Sequence, residues 1–223
     1  MDLNKYTDII WDWNGTLFDD VHLCHSIMNN LLIRRSLPEL TLQQYKEIFT
    51  FPVKDYYIKA GHDFTRESFE KIGADFMEEY EVKKLDCKLF PFSQELLNKI
   101  QSLNIRQHLL SAYEQERLNE IIQNHGIFKY FTFVKGLDHI YADDKVKIGR
   151  QLMKEISVNS MSPKAVLIGD TIHDYEVANE LGIDCLLIGN GHQNIDRLKR
   201  FKIDVLDNIE ELYNQLSKKG INN

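Results

Sequence analysis

From about residue 89 onward, short apolar runs alternate with segments of helical period, and no other feature of the chain constrains its fold as tightly. Ser93 reads as an N-cap for a helix carrying Leu96, Leu97, Ile100 and Leu103, and residues 105–111 then read as a strand ending at Ser111. A helix over 114–124, a strand over 131–134 and a helix over 145–157 follow. Next come a strand ending at Asp170 and a helix over 172–181, which Gly182 terminates. A strand over 184–189 and a helix over 207–218 complete the series. Such alternation predicts a mainly parallel sheet covered by helices on both faces.

One block breaks the rhythm. A buried strand over 6–11 comes first, and then Val21, Cys24, Met28, Leu31 and Leu32 follow helical spacing. A shorter helical piece lies around 41–49, and Phe69, Ile72, Phe76 and Tyr80 form a second apolar stripe. The expected class is therefore α/β: a doubly wound, mainly parallel, Rossmann-like sheet with an inserted all-helical cap domain. Residues 1–17 and 89–223 would form the core, and 18–88 the cap. A chain of 223 residues with 43% hydrophobic side chains can bury such a core.

The formal net charge of −7 and the absence of a basic stripe argue against nucleic acid as a partner. No apolar run approaches the ~18 residues of a membrane span. The three scattered cysteines, Cys24, Cys87 and Cys185, suit a reducing compartment, and the polar start "MDLNKYTD" is unlike a signal peptide. The expectation is a cytoplasmic protein, its oligomeric state left open.

Open parallel sheets bind ligands at the carboxyl ends of their strands. Three of the predicted strands end in polar residues there: Asp12, Ser111 and Asp170. Two aspartates at one edge repel unless a cation lies between them, and a hard oxygen donor set suits Mg²⁺. Asp174, four residues after Asp170, would face the same side if a helix starts between them. Taken singly, each aspartate is most often a helix cap or turn residue; three such strand ends in one chain, with a spare lysine, weigh against that reading.

These residues fall into a known pattern. "DWNGTL" resembles the first motif of the haloacid dehalogenase superfamily, Asp-x-Asp-Gly-Thr-Leu. Ser111 after "HLL" is similar to the second motif, Lys145 in "DDKVKIGRQL" to the third, and "IGDTIHD" to the fourth. The helical insert sits where the phosphoglycolate-phosphatase-like subfamily carries its cap. The resemblance implies Asp12 as nucleophile, Lys145 as the charge-balancing lysine and Ser111 as a donor to a phosphoryl oxygen. It also implies Mg²⁺ held by Asp12, the main chain at Asn14, and Asp170, with Asp174 as a direct or water-mediated ligand. The implied substrate is a small phosphorylated metabolite. Lys147 rivals Lys145, which is preferred for its place at the helix start.

Asn14 departs from the pattern. The usual aspartate there protonates the leaving oxygen and later activates water, whereas an amide cannot exchange a proton at neutral pH. General acid–base catalysis is worth roughly 10²–10⁴ in rate. Hydrolysis of a substrate with a good leaving group, or with help from Asp19, Asp20, His22 or His25, is the first possibility. The plainer view makes Asp19 and Asp20 first-turn acids and the two histidines a polar helix face. A dehalogenase acting at carbon fits less well, because Asp170 and Asp174 are retained. A phosphonate-cleaving relative would need a cap lysine such as Lys54 or Lys59. A catalytically weak phosphate- or partner-binding relative is the competing class. Deamidation at Asn14-Gly15 would restore the acid, but a rigid loop disfavours it. Lys54 could meet a second anionic group on the substrate and Arg34 and Arg35 end the first cap helix, though such charges are more often solvated; the loop "GNGHQN" lies near the same edge, where His192 could approach the substrate but a histidine is ordinarily exposed.

Overall fold

A computed structural model describes residues 2–138, 145–158 and 163–219. Strand β1 (Asp8–Trp11) is buried along its whole length. The chain then forms β2 (Phe18–Asp19) and four helices: α1 (Val21–Arg34), α2 (Leu42–Ile48), α3 (Val53–Ala60) and α4 (Phe69–Lys83). It returns through β3 (Lys88–Leu89), which pairs antiparallel with β2. From there it runs α5 (Ser93–Ser102), β4 (Arg106–Glu114), α6 (Gln115–Asn124), β5 (Phe133–Leu137) and α7 (Lys145–Val158). The remainder is β6 (Ala165–Gly169), α8 (Ile172–Leu181), β7 (Asp184–Ile188), α9 (Ile195–Leu198), β8 (Asp204–Leu206) and α10 (Ile209–Lys219).

Six strands form one sheet in the order β5-β4-β1-β6-β7-β8, every pair parallel. After β1 the chain builds outward through β4 and β5, then crosses to build β6, β7 and β8 on the other side. The order therefore reverses at β1, where an open parallel sheet leaves a crevice beyond its carboxyl edge. Strand periodicity sorts the apolar residues. Ile9, Trp11 and Ile168 join a cluster with α5, α6 and α10, whereas Ile10, Leu110 and Leu167 join one with α7 and α8. The first cluster continues without a break into the helical insertion, through Met28, Leu31, Tyr57 and Ile72.

Several local expectations change. Phe92, in the left-handed region at φ 67°, is the N-cap of α5; Ser93 is its first helical residue and donates to the Leu17 carbonyl at 3.4 Å. β4 does not stop at Ser111. It continues to Glu114 across an irregularity, Leu110 pairing with Lys135 and Glu114 with Leu137. The extra residues bulge out of the ladder, and Ser111 Oγ accepts the Tyr113 N–H at 3.0 Å. β5 begins at Phe133 because a 3₁₀ turn occupies Phe128–Tyr130. Among the described residues no helix is long and apolar enough to cross a membrane.

Candidate active site

The loop after β1 is a tight curl in which the amides of Thr16, Leu17 and Phe18 all point at the Trp13 carbonyl. Gly15 makes this possible: its φ is +74°, and a Cβ there would lie 2.4 Å from Asp170 Oδ2. The curl leaves Asp12 buried at the strand end and carries the Thr16 hydroxyl to 3.2 Å from both Asp12 Oδ2 and Asp170 Oδ1. Asp170, directly after β6, also accepts the His192 backbone N–H at 2.6 Å.

Lys145 opens α7 and is buried, its ammonium bonded to Asp12 Oδ1 and, at 2.6 Å, to Asp174 Oδ1. Lys147, two residues on, is exposed. Asp174 does two jobs. Its Oδ2 accepts from the Thr171 N–H and hydroxyl, at 3.0 and 2.7 Å, closing a capping box on α8, while Oδ1 holds the lysine. Ser111 is buried in the wall nearby. Because its oxygen accepts from Tyr113, its own proton remains available to a ligand. Asp12, Asn14, Ser111, Lys145, Asp170 and Asp174 thus line a single cavity of about 200 Å³.

The electrostatics are those of a site short of positive charge. Ligand oxygens of Asp12, Asp170 and Asp174 lie within 4.8 Å of one another, all buried, against one buried ammonium. Burial pushes the Asp12 carboxyl up to about 6 despite Lys145, and Asp170 up to about 7 despite His192. Lys145 is held above its ordinary range: burial opposes its charge, but Asp12 and Asp174 outweigh that. Three carboxylate donors with this charge deficit fit a hard divalent cation such as Mg²⁺.

Asn14 is tied into a second cluster. Its amide donates to Asp20 Oδ2 and to the Tyr80 hydroxyl, both at 2.7 Å, and Tyr80 itself donates to Asp20 at 2.8 Å. Gly15 N–H reaches Asp20 Oδ1 at 3.2 Å, and His192 Nε2 approaches the same oxygen at 3.1 Å. Asp20 is therefore no solvated first-turn acid. It is 1% exposed and, against the cost of burial, is held low by His192, Asn14 and Tyr80. His192 is likewise not an exposed loop histidine but 4% exposed, its Nδ1 2.8 Å from the Tyr45 hydroxyl. Sequence reasoning passed over the roles of Asp20, His192 and Tyr80. The available signal was Asn14 itself, whose amide needs an acceptor, with two aspartates five and six residues on.

The cations of the helical insertion lie elsewhere. Arg34 pairs with Glu79, Arg35 pairs with Glu67 and Asp75, and Lys54 and Lys59 are exposed. His25 bonds the Leu40 carbonyl at 2.6 Å, away from the site.

Comparison with known proteins agrees with this arrangement. The model of the haloacid dehalogenase-like hydrolase family matches residues 9–188, which takes in Asp12, Asn14, Ser111, Lys145, Asp170 and Asp174 and stops short of His192. The chain belongs to that family and is a hydrolase of its kind. It is similar to a phosphoglycolate phosphatase of Rhodobacter capsulatus, 23% identical over 189 residues, covering 83% of this chain and 85% of the relative. Among solved structures, a haloacid dehalogenase-like hydrolase from Streptococcus pneumoniae superposes with a TM-score of 0.76 at 19% identity, covering 90% of this chain and 92% of the other. Protein Tyrosine Kinase A of Mycobacterium tuberculosis superposes equally well, with a TM-score of 0.76 at 21% identity and 95% and 98% coverage. A fold shared with a protein of that name identifies the scaffold and leaves the substrate to the site.

Proposed function

We propose that the protein is a Mg²⁺-dependent phosphatase of small phosphate monoesters that works through an aspartyl-phosphate on Asp12. The helices between β2 and β3 act as its cap. The observation that carries this reading is the grouping of Asp12, Lys145, Ser111 and Asp170 on one cavity wall at the sheet's reversal point. The family membership and the curated relative's name support it.

A carboxylate oxygen of Asp12 forms a bond to phosphorus, and the ester P–O bond breaks with its electron pair leaving on the alcohol oxygen. Water then attacks phosphorus and the Asp12 O–P bond breaks, regenerating the carboxylate; one of the water's protons stays on the phosphate and the other neutralises the departed alkoxide. Lys145 offsets the negative charge that nucleophile and phosphoryl group bring together. Ser111 donates its free proton to a phosphoryl oxygen. Asp12, Asp170 and the main chain at Asn14 would hold the ion, with Asp174 beside it through its grip on Lys145. The ion supplies charge neutralisation and orientation of the phosphoryl group. Asn14 contributes no proton. Its amide is spent on Asp20 and Tyr80, and this links the first-strand loop to helix α4.

The test is turnover of an activated aryl phosphate with and without Mg²⁺, in the native protein and in Asp12→Asn. We expect activity only with the metal, and a loss of about 10⁴-fold or more in the variant. Equal turnover in the two proteins would overturn the reading and favour a phosphate-binding relative that does not turn over.

A further inference from the structure

The reading above leaves the organic half of the substrate open. Building on it, we propose that the substrate is an aryl phosphate, a monoester whose leaving group is an uncharged, phenol-like ring.

The first ground is the wall of the cavity away from Asp12. Ring contacts run along it as a continuous belt. Phe51 meets Phe49 at 5.8 Å, Phe49 meets Tyr56 at 5.1 Å, and Tyr56 meets Tyr57 at 5.5 Å. Tyr57 meets Phe76 at 6.4 Å, and Phe76 stacks on Tyr80 at 6.2 Å. All of them line the cavity. A void of about 150 Å³ with apolar walls accommodates benzene. The 200 Å³ here suits a phosphoryl group with one ring behind it, held by the offset and edge contacts aromatic rings prefer. Tyr56 is buried and its hydroxyl has no partner among the described residues, which leaves a hydrogen bond for a substituent on the ring.

The second ground is charge. Among the described residues Lys145 is the only lysine or arginine lining the cavity, and it is already shared by two carboxylates. Nearby, Lys84 bonds Glu81, Arg117 pairs with Glu81 and Glu114, and Lys46 bonds the Asn190 carbonyl. Residues 139–144, just before Lys145, contain no lysine or arginine. Two histidines line it too, but His192 is engaged by Asp20 and Tyr45, and His173 Nδ1 faces Glu176 at 3.4 Å. A second anionic group on the substrate, such as the carboxylate of phosphoglycolate, would be buried without a free lysine or arginine in a cavity that Asp20 and Glu114 also line.

The third ground is Asn14. With no acid two residues after Asp12, and with Asp20 filled by its own donors, the leaving oxygen departs unprotonated. A phenolate, of pKa about 10, tolerates this. An alkoxide, whose conjugate acid resembles water at about 15.7, does not.

Three phosphonates that cannot be hydrolysed separate this inference from the reading beneath it. In the presence of Mg²⁺, inhibition constants are measured for methylphosphonate, benzylphosphonate and phosphonoacetate. We expect benzylphosphonate to bind about 10- to 100-fold more tightly than methylphosphonate, and phosphonoacetate no more tightly than methylphosphonate. Phe76→Ala should bring the ratio of benzylphosphonate to methylphosphonate affinity down to within about threefold of one. If methylphosphonate binds but benzylphosphonate gains nothing, or phosphonoacetate binds best, the aryl assignment fails and the phosphatase reading stands. If none binds, both fail. Phenyl and benzyl phosphate then isolate the leaving group: phenyl phosphate should turn over at least about 10²-fold faster at similar KM, and equal rates would overturn the phenolate argument.

Discussion

The two ends of the cavity are built differently. At one end Asp12, Ser111 and Asp170 are carried by three adjacent parallel strands, β1, β4 and β6, whose register sets their spacing. At the other end Phe49, Tyr56, Phe76 and Tyr80 come from α2 to α4 and the turns between them. The sheet end is charged and hydrogen-bonded at nearly every oxygen. The helical end holds rings, with Tyr56 and its unpartnered hydroxyl among them. The fixed end can serve any phosphate ester, so the choice among esters falls to the helical end.

Lys145→Met should show the larger effect of disturbing the fixed end. Removing the ammonium leaves Asp12 and Asp174 buried without their shared partner. We expect kcat/KM to fall by about 10³-fold, and metal-free stability at pH 8 to fall by about 3–5 kcal/mol in denaturant titrations. Phe76→Ala, at the helical end, should leave turnover of phosphate esters lacking a ring unchanged. If the two variants lose activity on all esters alike, the division of labour is wrong.

That division also explains what could be read in advance. Apolar runs followed by Asp12, Ser111 and Asp170 are a strong signal only together, because each polar residue alone could be a cap or a turn, whereas parallel strands bring all three to one edge. β2 and β3, two residues each, are too short to carry periodicity, and so the pairing that brackets the helices was invisible. Asp20 and His192 read as a first-turn acid and an exposed loop histidine because each is ordinary in its own stretch. Only the tertiary fold brings loop 189–194 against the start of α1, where His192 Nε2 comes within 3.1 Å of Asp20. In "FPVKDYY", Tyr56 and Tyr57 are core residues and cavity lining at once, and nothing in the stretch itself separates the two roles.

A smaller effect tests the junction between the ends. Asn14→Asp would set a carboxylate where the amide now donates, 2.7 Å from Asp20 Oδ2. Two carboxylates that close share a proton, which makes the new group an acid near neutral pH. Turnover of alkyl phosphates should then rise by about 10- to 100-fold, while aryl phosphates change by no more than about threefold, since their leaving group needs no proton. An equal gain for both classes would show that the native protein is limited by the second step, hydrolysis of the aspartyl-phosphate.

The smallest effect concerns the metal and follows from the raised carboxyls. Asp12 and Asp170 titrate near 6 and 7 in the folded chain because they are buried, against about 3.9 when unfolded. The folded state therefore binds more protons between about pH 4 and 7, so the metal-free protein loses stability as pH rises through that window. Mg²⁺ competes with those protons and should recover the loss where it is complete. At a concentration of about 100 times its Kd, the ion contributes about 2.7 kcal/mol, which for a chain of this size raises Tm by about 5–10 °C. We expect that shift at pH 8 and almost none at pH 5, measured by thermal unfolding with and without MgCl₂. Asp170→Asn should abolish the shift at pH 8, while Phe76→Ala should keep it, because the rings at the helical end take no part in holding the ion. A shift of equal size at pH 5 and pH 8 would mean that the ion binds somewhere other than between these two carboxylates.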